Sequence, residues 1–455
     1  MALLKNLLNL ISPLFPFADF LYVLQLEEYE TTRYISRLQR FFLRRNIQKR
    51  DTLKLTSRLL LTLIVAIALI KVLVISVHLL FGIIYLTAAV FILSVVLFVP
   101  FFIIPANILL TPLFEIAKKQ VQRKAKKYMS RFSDLKVIAI AGSYGKTTTK
   151  NFLYELIRYS YKTSMVPGNI NTPTGIANWL LTHFDESSQV LIVEMDTYFK
   201  GEIAASCAVV QPDIAILTNI GDQHLERHGT RKQLAQALSE VFTHSKKDAF
   251  LITDAVTSDD LTEFGITIEP TIIDEQHIMY ESERLKVEYL SPSAQHNLRF
   301  ALRAAEHMHI PSRFIADSVT SLQVPERRQQ LTKMFGYDAI DDSYNISLST
   351  AKAGLLRARE LAGKHKELIV ITAGIPELGQ ENSQGNEQYS ALLSQHANVV
   401  FVLQSIFHKD LEKYMDKNKV HHVKNLQQTV QLLQKRYKPE KCLLLVQPEL
   451  TDLYY

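Results

Sequence analysis

An apolar run, Val137-Ile-Ala-Ile-Ala141, enters a turn framed by Gly142 and Gly145 and leaves it on Lys146-Thr147-Thr148. A strand that runs through a glycine turn into a helix is the build of a nucleotide phosphate cradle. The glycines let backbone N–H groups face phosphate oxygens, the lysine adds a point charge, and the threonine hydroxyl suits Mg²⁺. The positive end of the following helix points at the same anion. The spacing is GxxGKT; Ile140 stands where the longer GxxxxGK[ST] pattern has its first glycine. A chain committed to this unit is committed to an α/β layer structure, because the strand needs parallel neighbours and the helix a sheet to cover.

The rest of the chain agrees. Short apolar runs alternate with helical stretches beyond residue 136, and chemically loaded residues stand where the strands stop. Val190-Leu-Ile-Val193 stops at Glu194-Met-Asp196, and Ile214-Ala-Ile-Leu217 stops at Thr218-Asn219, followed by Asp222 and His224. Ligands of open α/β sheets bind beyond the carboxyl ends of strands, so Glu194 and His224 are placed to meet phosphates held by the first loop. Glu367-Leu-Ile-Val-Ile-Thr372, Val399-Val-Phe-Val-Leu403 and Cys442-Leu-Leu-Leu-Val446 read as strands of a further α/β domain. The adjacent His421 and His422 point to opposite faces of a strand and carry no metal site.

The 455 residues suffice for roughly three domains. The net charge of +6 is modest, and its basic residues gather beside apolar runs in the N-terminal third, which favours a membrane surface over nucleic acid. Two distant cysteines, Cys207 and Cys442, fit neither a disulfide framework nor a zinc site. Between residues 59 and 114 only Lys71 and His78 carry charge near neutral pH, and a single span needs about 20 residues. Two spans are expected, about 59–77 and 79–104, with Pro100 and Pro105 closing the second and Lys71 the awkward residue. Arg37, Arg40, Arg44, Arg45, Lys49, Arg50, Lys54 and Arg58 precede them; Lys118, Lys119, Arg123, Lys124, Lys126, Lys127 and Arg131 follow. The positive-inside rule places both flanks in the cytoplasm, which an even number of crossings satisfies. The expected address is the cell membrane, multi-pass, with the soluble domains on the cytoplasmic side and the lipid bilayer a partner. Residues 1–20 suit either an interfacial helix or one packed on the hairpin.

Eight blocks occur in the order seen in Mur ligases: Gly142-Ser-Tyr-Gly-Lys-Thr-Thr-Thr-Lys150, Pro167-Gly-Asn-Ile-Asn-Thr172, Glu194 through Gly201-Glu-Ile203, Thr218-Asn-Ile-Gly-Asp-Gln-His-Leu-Glu226, His296-Asn297, Val324-Pro-Glu-Arg327, Asp341-Asp-Ser-Tyr-Asn345 and Glu377-Leu-Gly379. From about residue 136 onward the chain therefore resembles that family, most nearly its D-alanyl-D-alanine-adding branch; folylpolyglutamate synthases and cyanophycin synthetases share the scaffold. The apolar runs make residues 1–135 a transmembrane helical hairpin by expectation, and the resemblance implies a P-loop-type central α/β domain over 136–320 and a Rossmann-like C-terminal domain over 321–455. It implies an ATP-dependent carboxylate–amine ligase that works through an acyl phosphate, with Mg²⁺, a carboxylate donor and an amine acceptor. Gly142, Ser143, Tyr144, Gly145, Lys146, Thr147 and Thr148 would hold the phosphates, and Thr147, Glu194 and His224 the metal. Asn297, Arg327 and Asp342 would close on the nucleotide, and Asn171 and Thr172 would meet substrate.

Four departures accompany it. The family's UDP-sugar-recognising domain has no counterpart, and the apolar N-terminal region stands in its place, so a lipid-linked or wall-proximal acceptor is expected. Leu238 stands where many members carry a carbamylated lysine that helps bind a second Mg²⁺. Glu326 replaces the glycine before the family arginine and Arg328 follows it, which leaves open which arginine reaches the nucleotide. The stretch Ala373-Gly-Ile-Pro376 and the tail from Gln447 differ from the D-alanyl-D-alanine enzymes, whose tail carries Lys-Gly-Ser. These changes keep open a second reading, a degenerate ATP-binding scaffold or regulator of an envelope complex.

Overall fold

The computed structural model describes residues 17–42, 53–96, 102–168, 170–222, 224–274, 278–281 and 283–447. Residues 1–120 and 121–455 form two compact units.

The first unit is helical, with helices Phe17–Leu26, Thr31–Phe42, Ser57–Phe81 and Ile84–Val96 and the start of Ile104–Met129. Thr56 caps the long apolar helix Ser57–Phe81 by accepting from the Leu59 N–H. Gly82, at φ 61°, ends it by returning its N–H to the His78 carbonyl. The break thus falls at Gly82, not at His78 as the charge pattern predicted. A left-handed residue ends a helix where a single imidazole does not. Among the described residues this is the one helix long and apolar enough to cross a membrane. Ile84–Val96 has 13 residues, too few for a span, and residues 97–101 lie outside the described residues, so a two-span hairpin is not established.

Leu59, Leu63, Ala66 and Ile70 share one face of the long helix and pack in a core with Phe20, Leu24, Tyr34 and Phe102. Helix Phe17–Leu26 packs in this core through Phe20, Leu21 and Leu24, while most of the 1–20 segment for which an interfacial or a packed helix is expected, residues 1–16, lies outside the described residues. Two residues of the basic flank are used internally. Arg37 and Arg33 ion-pair with the fully buried Glu27 at 3.1 and 2.7 Å, and Arg58 lies over the rings of Tyr29 and Phe114 at 4.3 and 5.1 Å.

The second unit carries two six-stranded sheets. Strands β1 (Lys136–Ala141), β2 (Thr163–Met165), β3 (Val190–Glu194), β4 (Ile214–Leu217), β5 (Phe250–Thr253) and β6 (Thr271–Ile272) form a wholly parallel sheet in the order β2-β3-β1-β4-β5-β6. A small hairpin, β7 (Met279–Tyr280) and β8 (Glu283–Arg284), follows. The second sheet, β13-β12-β11-β14-β10-β9, comprises β9 (Gln330–Met334), β10 (Tyr337–Asp341), β11 (Glu367–Thr372), β12 (Val399–Leu403), β13 (Val420–Val423) and β14 (Cys442–Val446). It is parallel except for the β9–β10 pair. Strands β1, β3, β4, β11 and β14 are apolar runs because both faces are covered by helices. The chain departs to one side of β1 for β2 and β3 and to the other for β4, so the crevice of a doubly wound sheet opens at the end of β1.

Candidate functional site

At that crevice, Gly142 holds φ 137° and Gly145 φ 82°. A Cβ at Gly142 would lie 2.1 Å from Thr218 Oγ1, and one at Gly145 2.2 Å from Asn297 Oδ1, so both positions exclude any side chain. Asn219 clasps the turn: its Oδ1 accepts from the Tyr144 N–H at 3.0 Å and its Nδ2 donates to the Tyr144 carbonyl at 3.1 Å. Gly145 provides no side-chain cap to helix Lys146–Ile157, which leaves the helix's first N–H groups to face the turn.

The charges are laid over this turn. Lys146 Nζ donates to the Gly142 carbonyl at 2.6 Å and lies 3.3 Å from Asp196 Oδ1. Thr147 donates to Glu194 Oε2 at 2.9 Å, and Lys150 Nζ ion-pairs with the same oxygen at 3.0 Å. Burial pulls the Lys150 ammonium below the usual lysine range, although Glu194 works the other way. Arg328 donates from Nη2 to Thr147 Oγ1 at 3.0 Å and lies 4.1 Å over the Tyr344 ring.

All of these side chains but the buried Lys150 line one cavity of about 670 Å³ between the carboxyl ends of the two sheets. Ser143, Tyr144, Gly145, Lys146, Thr147, Thr148, Asn171, Glu194, His224, Asn297, Arg327 and Asp342 all line it. Gly142 meets it through the carbonyl that holds Lys146. Thr172 differs from the expectation: its hydroxyl is occupied in capping helix Pro173–His183, where it accepts from the Gly175 N–H. Arg327 bends back, with Nε on Ser343 Oγ at 2.9 Å and Nη2 on the Ser343 carbonyl at 3.0 Å. Burial raises the Asp342 carboxyl well above its ordinary range, and its Oδ2 has no hydrogen-bond partner.

His224 is held between two carboxylates. Its Nδ1 lies 2.7 Å from Glu377 Oε2 and its Nε2 3.8 Å from Asp196 Oδ2. Burial opposes the charge, but the two carboxylates push its pKa up to about 9. Asp196 in turn is held below the usual carboxylate range by Lys146 and His224 against its own burial. Glu377 comes from the loop after β11, and its carbonyl accepts from the Glu226 N–H at 2.9 Å, so this contact joins the two sheets' loops. Leu238 is buried in the apolar core of the first sheet and presents nothing to the cavity. Among the described residues no cluster of three or more His, Cys, Asp or Glu side chains stands ready for a metal.

A triphosphate and Mg²⁺ fit what is present. The glycine cradle leaves room that a Cβ would fill, and three cations (Lys146, Lys150, Arg328) face two carboxylates (Glu194, Asp196) there. Thr147 and Glu194 form the hydroxyl–carboxylate pair that a hard cation bridging phosphates commonly takes. Asp196, Lys150 and Glu377 had no role assigned from sequence, and Arg328 stood only as the alternative to Arg327. Lys150 carried a usable signal, since it lies four residues after Lys146 on the same helix face. The other three join the site through loops whose approach the spacing does not encode.

Residues 140–290 match the Mur ligase middle domain. Over 292 residues the chain is 26% identical to a UDP-N-acetylmuramoyl-tripeptide–D-alanyl-D-alanine ligase of Bacillus subtilis, 60% of this chain and 63% of that one; the chain thus spans less than two thirds of that relative's length. A Rickettsia prowazekii ligase of the same name is 32% identical over 128 residues, 28% of each chain. In fold, the chain is similar to the MurF ligase of Thermotoga maritima in complex with ADP, with a TM-score of 0.63, 23% identity and coverage of 73% of this chain and 80% of that one. A folylpolyglutamate synthase of Mycobacterium tuberculosis complexed with ADP has a TM-score of 0.56 at 12% identity, covering 73% and 92%.

Proposed function

We propose that this chain, built around a Mur ligase middle domain, is a membrane-anchored, ATP-dependent carboxylate–amine ligase of cell-envelope biosynthesis. The observation that carries the reading is the convergence of Lys146, Thr147, Glu194 and Arg328 on one glycine turn inside one cavity. The named relatives that couple muramoyl peptides to amino compounds, and the neighbours holding ADP, support it.

Lys146 and the N–H groups of the turn hold the β- and γ-phosphates, and Asn297 stands on the adenine side. Thr147 and Glu194 would hold Mg²⁺, which when bound would neutralise charge on the transferred phosphoryl group. A substrate carboxylate oxygen forms its bond to the γ-phosphorus as the bond to the ADP oxygen breaks. The amine nitrogen then attacks the acyl carbon of the acyl phosphate, inorganic phosphate leaves, and the nitrogen gives up a proton to yield the amide. The loops of both sheets keep water from the acyl group and hold the amine in line, which is where most of the rate arises. With Leu238 in the core, a single cation site is proposed. The Ser57–Phe81 helix supports anchoring, the basic run from Lys118 to Arg131 that leads into the second unit supports a cavity on the cytoplasmic side, and a lipid-linked or wall-proximal acceptor suits that location.

Purified full-length protein tests this. ADP release that requires a candidate amine and disappears in Lys146→Ala is the expected result; tight ATP binding without turnover for any donor and amine pair would favour a scaffold.

A further inference from the structure

Two arginines, Arg327 and Arg328, follow the segment where the family resemblance has one, and the motif aligns the first of them. Their surroundings differ. The Arg327 side chain is exposed and folds back on Ser343, an oxygen of its own sheet's loop and that residue's carbonyl. Arg328 is half-buried, lies flat over the Tyr344 ring, and reaches across the cavity to Thr147 of the phosphate loop.

The geometry points to Arg328, not Arg327, as the residue that carries positive charge from the second sheet onto the terminal phosphate of a bound nucleoside triphosphate. This rests on the nucleotide reading above. A guanidinium has five N–H donors. Among the described residues the Arg328 side chain makes one hydrogen bond, to a neutral hydroxyl, and no ion pair, so the fork keeps its capacity for an anion. The Thr147 hydroxyl already donates to Glu194 and accepts from Arg328. That single bond to a neutral hydroxyl is one that a terminal phosphate oxygen would readily replace, because a charged acceptor is the stronger partner of a guanidinium. Tyr344 fixes the plane of the guanidinium, which makes it a positioning residue.

The test compares dissociation constants of a non-hydrolysable ATP analogue and of ADP, each with Mg²⁺, for full-length wild type, Arg328→Ala, Arg328→Lys, Arg327→Ala and Tyr344→Ala. The readout is the preference for the triphosphate. Arg328→Ala is expected to lower it about tenfold or more, and Arg327→Ala by less than about threefold. Arg328→Lys and Tyr344→Ala should fall between them, because a point charge or an unstacked fork is a poorer phosphate partner. An unchanged preference in Arg328→Ala, or a larger loss in Arg327→Ala, overturns the assignment. If Arg328→Ala does not fold, Arg328→Lys decides: a preference at the wild-type level overturns it. Wild type that binds neither nucleotide would instead overturn the nucleotide reading, and this inference with it.

Discussion

At the residue scale, the site is a set of buried charges that stabilise one another, and each pair gives a measurable consequence. Lys150 and Glu194 are 1% and 4% exposed, so neither keeps its charge comfortably alone. Lys150→Met leaves Glu194 buried without its cation, and a loss of about 3–5 kcal/mol of stability is expected in a urea titration. The double variant Lys150→Met/Glu194→Leu should recover most of it; no recovery would show that the pair is not the source. His224 gives a pH dependence. Its folded pKa, raised to about 9 from 6.5, means that its stabilisation is fully present below pH 6.5 and is lost as pH rises through 9. The lowered Asp196 works only in acid, where its stabilisation is lost as pH falls, and does not enter this window. The melting temperature should drop by about 3 °C or more between pH 6.5 and 9.5, and His224→Gln should flatten that drop. A wild-type profile that is already flat would contradict the ion-pair role.

At the element scale, the phosphate turn is a backbone device, and a glycine outside it, Gly201 before helix Glu202–Val210, serves as the control. Gly142→Ala places a methyl 2.1 Å from Thr218 Oγ1 in a rigid strand-end loop, so loss of both stability and nucleotide binding is expected. Gly201, at φ 95° with nothing within 4 Å of a Cβ, should lose only about 1 kcal/mol on change to alanine, with nucleotide binding retained. Equal effects at the two positions would mean that backbone strain, not the close approach, sets the cradle. Much of this scale was legible in the chain. The runs at Val190, Ile214, Glu367, Val399 and Cys442 became strands because both faces of a covered parallel sheet are apolar. The helix break was misplaced, since hydropathy marks charge whereas the backbone turned on the left-handed conformation of Gly82. Arg37 read as a membrane-flanking cation, yet Glu27, ten residues earlier, holds it inside a helical core. Such pairing depends on packing that a count of basic residues does not contain.

At the scale of the whole molecule, the chain joins an apolar helical unit to an α/β unit whose two sheets turn their carboxyl ends to one cavity. The proposed anchoring would set the exposed apolar residues of the Ser57–Phe81 helix, among them Ile64, Ile67, Val72 and Ile75, against lipid. Full-length protein should stay in the membrane pellet after an alkaline carbonate wash, and release into the supernatant would contradict anchoring. The strand ends and the phosphate loop were readable because each is local in sequence. The contribution of the second sheet was less so: Glu377 and Arg328 reach the site across more than 150 residues, and the motif pointed to Arg327. The central claim is that this cavity grips a nucleoside triphosphate through Lys146 and the glycine turn. Calorimetric titration of the full-length protein with a non-hydrolysable ATP analogue and Mg²⁺ tests it most directly. Micromolar binding weakened about a hundredfold or more in Lys146→Ala is the expected result, and no binding, or equal affinity in the two proteins, would contradict the account.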